Sequence, residues 1–230
     1  MANFSTHVNV AFAASGVAGL VLFQAGMLSA PMFVTAVLMG TIGGLLPDLD
    51  SDNSTPLSIG FTVFALFIAF GAVIWLSARF MLLELLAIWA LSFVTVRYGV
   101  FKLFTELTVH RGCMHSIPYA FLFGLMALYW CFYGLDMSAL QSWMVGLFVS
   151  FGALIHLTLD EIYSVNLTNM EMKRSFGTAM KLFDRRKWPL YVGLYAVVGL
   201  GFYAAPSHTL FVQTLTDVEA WQGLSHRLIR

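Results

Sequence analysis

Charged residues are scarce in this 230-residue chain. Only 10% of the residues are Asp, Glu, Lys or Arg and 59% are hydrophobic, whereas a soluble domain carries about 25% charged residues. The twelve basic and twelve acidic side chains cancel to a net charge of zero, so the chain has no global field that would attract nucleic acid. This composition predicts an integral membrane protein that binds no nucleic acid.

Cysteine is also rare, and the N-terminus has no basic residues. Cys113 and Cys131 are the only cysteines, and neither lies in a CxxC or CxxH pattern, which argues against a disulfide framework or a thiolate zinc site. No Lys or Arg precedes the first apolar run, although a secretory signal peptide normally has one there. We therefore expect no cleaved leader, and any metal ion would need His and carboxylate ligands.

Long apolar runs make up most of the sequence. Seven of them are separated by polar, proline or glycine breaks: 8–29, 31–46, 57–77, 80–101, 116–135, 140–159 and 188–205. Because a helix needs about 20 apolar residues to cross a bilayer, the short second run is the weakest span. The runs predict an all-α integral membrane protein, a polytopic helical bundle of about seven transmembrane helices within residues 1–206. Residues 207–230 would follow as a C-terminal tail.

The basic residues predict how this bundle is inserted. Six Lys and Arg side chains lie between Glu161 and Lys187, and such an excess belongs on the cytoplasmic side. Counting the crossings before and after this segment then predicts an N-in/C-out, multi-pass protein of the cell inner (cytoplasmic) membrane. Residues 167–187 form a basic interfacial segment in this prediction. Residues 169–187 would be a helix on anionic lipid headgroups, or simply a basic topology anchor.

Polar residues cluster in four short islands at the ends of the apolar runs. The islands lie at His7, at Leu45–Asp52, at His110–Ser116 and at His156–Glu161. Each comes before an odd-numbered run or after an even-numbered one, so seven crossings place all four on the same side of the membrane. Four of the six histidines and four of the seven aspartates lie in these islands.

This convergence predicts a metal site. The candidate ligands are His7, Asp48, Asp50, His110, His115, His156 and Asp160. His156 and Asp160 are four residues apart, so both project from one face of a continuous helix. Seven His and Asp donors suffice for one or two ions, with Zn favoured and Mn, Fe or Mg as alternatives. Taken singly, each island also has an ordinary structural interpretation as a helix cap or an interfacial residue.

The same islands carry a family resemblance. The resemblance is carried by the segments MANFxTH, LPDLDS, HRGxxHS and HLxLDEIYS, followed by KRSFGTAMKLF. Through these segments the chain resembles the LexA-regulated inner-membrane family, whose membrane-bound proteins are regarded as metal-dependent hydrolases. The resemblance extends from Met1 to about Phe183. It implies that the seven His and Asp candidates are metal ligands, and it implies hydrolysis.

Together these features predict a membrane-embedded metal-dependent hydrolase. Water activated by the ion would attack an ester or phosphoester, with a membrane lipid as substrate, at the cytoplasmic membrane face. In this hypothesis Arg111 holds a phosphate oxygen, and Glu161 or Asp52 acts as the general base. The alternatives are a non-enzymatic metal-binding membrane protein or ion carrier, and an adaptor that binds a partner through residues 169–187.

Overall fold

The computed structural model describes residues 3–50, 55–102, 115–166, 171–172 and 180–228. They are almost entirely helical, which confirms the predicted all-α class for this part of the chain. The helices belong to two compact units. One consists of residues 1–47 and 112–230, and the other of residues 48–111.

Seven α-helices lie where the seven apolar runs lie, and two more follow near the C-terminus. In chain order they are α1 (Phe4–Gln24), α2 (Ala30–Gly43), α3 (Thr55–Leu76), α4 (Leu82–Val94), α5 (Ile117–Tyr129), α6 (Ala139–Ser164), α7 (Trp188–Ala204), α8 (Thr209–Leu215) and α9 (Val218–Leu228). A 3-10 turn, Leu46–Asp50, follows α2. Helices α4 and α5 each continue into a π-helical turn, at Thr95–Val100 and Trp130–Gly134.

Side-chain caps determine where α1 and α2 begin. The Asn3 side chain accepts a hydrogen bond from the Thr6 backbone N–H at 2.9 Å, and Ser29 Oγ accepts one from the Met32 N–H at 3.4 Å. Such caps satisfy backbone donors that have no partner inside the helix. Between the two helices Gly26 has φ +76°, a conformation that glycine adopts at little cost. The chain therefore turns back, and α2 packs against α1.

Helix α6 is the centre of the first unit and packs against α1, α2 and α5. Glycines allow its close approach to two of these helices. A Cβ atom on Gly152 would lie 1.8 Å from the Gly40 carbonyl oxygen, and one on Gly124 would lie 2.6 Å from the Gly146 carbonyl oxygen. Small residues at helix contacts let backbones pack closely within membranes. This packing fixes the end of α2 against the second half of α6.

The second unit consists mainly of the paired helices α3 and α4. The Glu84 carboxylate caps α4 by accepting a hydrogen bond from the Met81 N–H at 2.9 Å. In the π-helical turn, Arg97 Nε donates to Thr62 Oγ1 on α3 at 2.9 Å. The cap therefore fixes where α4 begins, and the Arg97–Thr62 hydrogen bond joins the turn after α4 to α3.

Several helices are long and apolar enough to cross a membrane. Five stretches qualify: Phe4–Gln24, Ala30–Asp48, Leu82–Val100, Ile117–Gly134 and Ala139–Ser164. A sixth span results if Arg185–Ala204 and Thr209–Ser225, which meet at a bend of 92°, are counted as one. The membrane class is thus supported, while seven crossings and the N-in/C-out orientation stay predictions.

The last third of the chain has two features that the sequence did not predict. Residues 207–230, expected to be a tail, contain α8 and α9, and α8 packs against α6. After α6, Val165–Asn166 pairs with Glu171–Met172 in a short antiparallel ladder. The expected interfacial helix over 169–187 therefore does not include Glu171–Met172, because their backbone pairs in extended form. Residues 167–170 and 173–179 lie outside the described residues.

Candidate metal centre

Helix α6 supplies two of the predicted ligands near its C-terminal end. His156 and Asp160 are one helical turn apart, with His156 Nε2 3.5 Å from Asp160 Oδ2. Both side chains are buried, at 0% and 2% exposure. The His156 Nδ1 atom lies 2.7 Å from the Gly44 carbonyl oxygen. Because a carbonyl oxygen only accepts, Nδ1 carries the hydrogen in this bond. The lone pair of a neutral ring is then on Nε2, which faces Asp160.

Helix α1 brings His7 to the same carboxylate. His7 lies in the first turn of α1, where its backbone N–H donates to the Asn3 carbonyl oxygen at 3.2 Å. Its Nε2 atom is 3.4 Å from Asp160 Oδ1, and its side chain is only 1% exposed. The His7 ring stacks on the His156 ring, with centroids 3.7 Å apart and an interplanar angle of 15°. The stack therefore presents two imidazole rings to one carboxylate.

The segment before α5 provides the third histidine. His115 Nε2 lies 3.4 Å from Asp160 Oδ2, and its side chain is 12% exposed. A distant part of the chain holds the backbone next to His115, because the Ile117 N–H donates a hydrogen bond to the Lys181 carbonyl oxygen at 3.1 Å. Lys181 itself precedes Leu182, whose carbonyl oxygen accepts a hydrogen bond from the Tyr195 hydroxyl at 2.7 Å. His115 is therefore positioned by α7 as well as by α5.

The distances fit the ligand shell of a small divalent ion. In a tetrahedral zinc site with bonds of 2.0–2.2 Å, neighbouring ligand atoms lie about 3.3–3.5 Å apart. The three Nε2 atoms are 3.4, 3.4 and 3.5 Å from Asp160 oxygens. These separations exceed the usual 2.7–3.2 Å of an N–H···O hydrogen bond. His7, His156 and Asp160 each offer a ligand atom within 4.8 Å of the other two.

The electrostatics of the cluster also favour a cation. A buried carboxylate is costly unless it is paired or binds a metal ion. The Nε2 atom of His156 and the Asp160 oxygen are both acceptors when the ring is neutral, and they repel unless a proton or a metal ion lies between them. His7, His156 and Asp160 could therefore hold a divalent ion, and His115 faces the same carboxylate. Zinc, manganese and iron all accept such imidazole and carboxylate ligands.

The structure describes the side chains of two other predicted site residues, Asp48 and Glu161. Asp48 lies in the 3-10 turn after α2, half-buried, where the second unit begins. Glu161 follows Asp160 on α6 and is partly exposed. The Asp50 side chain and residues Asp52, His110 and Arg111 lie outside the described part of the chain, so their predicted roles stay predictions.

One contributor was missed by the sequence reasoning, namely the Gly44 carbonyl oxygen. It is a backbone group, and its distance to His156 depends on how α2 meets α6. The second apolar run contains Gly40, Gly43 and Gly44, but glycines in a sequence do not indicate which backbone carbonyl will face an imidazole.

Comparison with known proteins indicates a family. A family model described as "YdjM inner membrane protein" matches residues 1–168, a range that includes all four polar islands. No curated protein and no solved structure gives a significant match. The match supports the inner-membrane location, whereas regulation by LexA and hydrolysis stay predictions.

Proposed function

The chain belongs to the YdjM inner membrane protein family, and we propose that it is a membrane-embedded, metal-dependent hydrolase. The proposed reaction is hydrolysis of an ester or phosphoester, with a membrane lipid as substrate, at the cytoplasmic face. The observation that carries the proposal is the convergence of three imidazoles on the Asp160 carboxylate. Three separate parts of the chain contribute to this cluster, which local helix capping alone does not explain.

The position of the cluster suits a lipid headgroup. His7 lies in the first turn of α1, and Asp160 is one turn from the end of α6 at Ser164. Both helices are candidate membrane spans, so their ends lie near the boundary between hydrocarbon and headgroups. Ester and phosphoester groups of lipids occupy that depth.

In the proposed mechanism His7, His115, His156 and Asp160 would hold the ion. A bound divalent ion would lower the pKa of a water molecule and polarise the bond that is attacked. Glu161 is the proposed general base, because it is partly exposed and directly follows Asp160. Arg111 is proposed to hold a phosphate oxygen, and Asp52 is the second candidate base. Asp48, Asp50 and His110 are proposed as further ligands.

A second candidate function is a structural metal site without turnover. Its support is burial, since the His7, His156 and Asp160 side chains are at most 2% exposed. Structural zinc sites are closed and four-coordinate, whereas catalytic sites keep a position open. The 12% exposure of His115 marks the most accessible side of the cluster, where a substrate would enter.

Metal content and turnover together test the proposal. The protein is purified in detergent without chelator, and bound metal is measured by mass spectrometry for wild type, His115→Ala and His156→Ala. His208→Ala is the matched control, because His208 is exposed and precedes α8. We expect near-stoichiometric Zn, Mn or Fe in wild type and in the control, and its loss in both cluster variants. Wild type that binds no metal even after divalent ions are added back would overturn the metal site.

Hydrolysis of a panel of lipid esters and phosphoesters then separates the two candidate functions. A hydrolase loses turnover but keeps its metal in Glu161→Gln. Metal-loaded wild type that cleaves nothing in the panel supports the structural site instead.

A further inference from the structure

An apolar pocket of about 150 Å³ lies among α5, α6, α7 and α8, apart from the His/Asp cluster. Part of its wall is backbone without side chains, because Gly124 and Gly146 line the pocket and allow α5 and α6 to pack closely there. A Cβ atom on Gly124 would lie 1.9 Å from Ser150 Oγ, and one on Gly146 would lie 2.8 Å from the Gly124 carbonyl oxygen. The side chains of the four helices surround these two glycines and leave the pocket between them.

The walls of the pocket are aromatic and dry. Trp143 is 9% exposed, and its ring stacks on Phe211 with centroids 5.4 Å apart. Its indole N–H is already used, since it donates to the Pro206 carbonyl oxygen at 3.0 Å. Among the lining side chains Ser150 is the other one with a polar atom. A buried water needs two to four polar partners, and apolar cavities stay dry.

The mouth of the pocket continues the outer surface of the helices. Phe121, Leu147 and Phe202 line it and are 38%, 37% and 43% exposed. On α5 and α6 the lining residues belong to the candidate spans Ile117–Gly134 and Ala139–Ser164. Phe121 to Leu128 is the middle of the first of these spans. The pocket therefore opens sideways at the depth of the hydrocarbon layer, where lipid chains surround the protein.

We propose that this pocket binds one acyl chain of a membrane lipid. A dry apolar cavity of about 150 Å³ holds a molecule as large as benzene, so this pocket has room for a chain segment of about six carbons. Its occupant is hydrocarbon because the walls offer little polar contact and the mouth faces the bilayer. The pocket extends along α6 from Trp143 to Ser150. Ser150 is six residues before His156, a distance of about 9 Å along the helix axis at 1.5 Å per residue. The proposal does not depend on metal binding or hydrolysis.

Fluorescence of Trp143 tests the proposal. A variant that keeps Trp143 and replaces the other five tryptophans with Phe is reconstituted into phosphatidylcholine vesicles whose acyl chains carry bromine, a contact quencher. We expect strong quenching of Trp143 although its side chain is 9% exposed. Leu147→Phe, which enlarges a side chain at the mouth, should reduce that quenching. Leu200→Phe is the matched control, because Leu200 is 67% exposed and does not line the pocket.

A second variant, which keeps Trp130 and replaces the other five tryptophans with Phe, calibrates the result. Trp130 is 54% exposed and should be quenched in every variant. Quenched Trp130 with unquenched Trp143 would overturn the proposal, whether the pocket is empty or filled by a second copy of this chain. Equal quenching of Trp143 with and without Leu147→Phe would also overturn it.

Native mass spectrometry provides a measurement that needs no tryptophan replacement. Wild-type protein and the Leu200→Phe variant should retain one phosphatidylcholine molecule per chain, and Leu147→Phe should retain less. The same lipid count in all three proteins would contradict the proposal.

Discussion

The His156 imidazole donates a hydrogen bond to the Gly44 carbonyl oxygen across 2.7 Å, from α6 to the chain just after α2. This contact fixes which nitrogen of His156 faces Asp160. Partners of this kind orient a ligating histidine and set its tautomer. The geometry of the metal centre therefore depends on how closely α2 approaches α6.

Gly152→Ala should disturb that approach. A Cβ atom at position 152 would lie 1.8 Å from the Gly40 carbonyl oxygen and 2.8 Å from the Gly44 backbone nitrogen. Overpacking of this kind costs about 1–3 kcal/mol of unfolding free energy. Moving the Gly44 carbonyl should also weaken metal affinity by about 10- to 100-fold. Thermal unfolding in detergent and a metal titration measure the two effects.

Gly193→Ala on α7 is the control for this prediction, because nothing lies within 4 Å of a Cβ atom there. Unchanged metal affinity in Gly152→Ala would show that the Gly44 carbonyl does not orient His156.

Asp160→Asn should abolish metal retention. The substitution keeps the size of the side chain but removes the charge that all three imidazoles face. A neutral amide is a far weaker ligand for Zn, Mn or Fe than a carboxylate. Metal content after purification is the measurement, with Asp184→Asn as control, since Asp184 pairs instead with Lys181 at 3.8 Å. If Asp160→Asn kept the full metal content, the carboxylate would not be a ligand.

Removing the metal should lower the stability of the first unit. A ligand that binds only the folded state at 100 times its Kd adds about 2.7 kcal/mol, so treatment with chelator should lower the unfolding temperature and added metal should restore it. His7→Ala should respond less to added metal, because His7 joins α1 to the cluster. If neither chelator nor added metal changed the unfolding temperature, this would argue against an ion that links these helices.

Much of this arrangement could be predicted from the sequence. The seven apolar runs gave the positions of α1 to α7, since length and hydropathy are read directly from the residues. Counting the crossings predicted that the islands would lie on one side. The structure indeed brings together His7, His115, His156 and Asp160. In these cases the predictive signal is local or depends only on counting.

Other features depend on tertiary contacts that leave little trace in the sequence. Helix α8 has only 7 residues, too few to appear as an apolar run, and it is held by its contact with α6. Helix α9 has 11 residues, and many of them are polar. The ladder of Val165–Asn166 with Glu171–Met172 involves two residues on each side, which give no alternating pattern. The Gly44 carbonyl likewise has no side-chain signature.

The contact between His7 and Asp160 places the start of α1 and the end of α6 on the same side of the membrane. The basic residues that follow α6 predict that this side is the cytoplasm. Single cysteines introduced in a background without Cys113 and Cys131 test this with a reagent that does not cross membranes. Asn3→Cys and Asp184→Cys should be labelled only after the cells are opened. Asp136→Cys, in the connection between α5 and α6, should be labelled in intact cells.

Labelling of Asn3→Cys from outside would reverse the orientation and move the proposed site away from the cytoplasmic face. Labelling of positions 3 and 184 from opposite sides would instead contradict the contact between α1 and α6 itself.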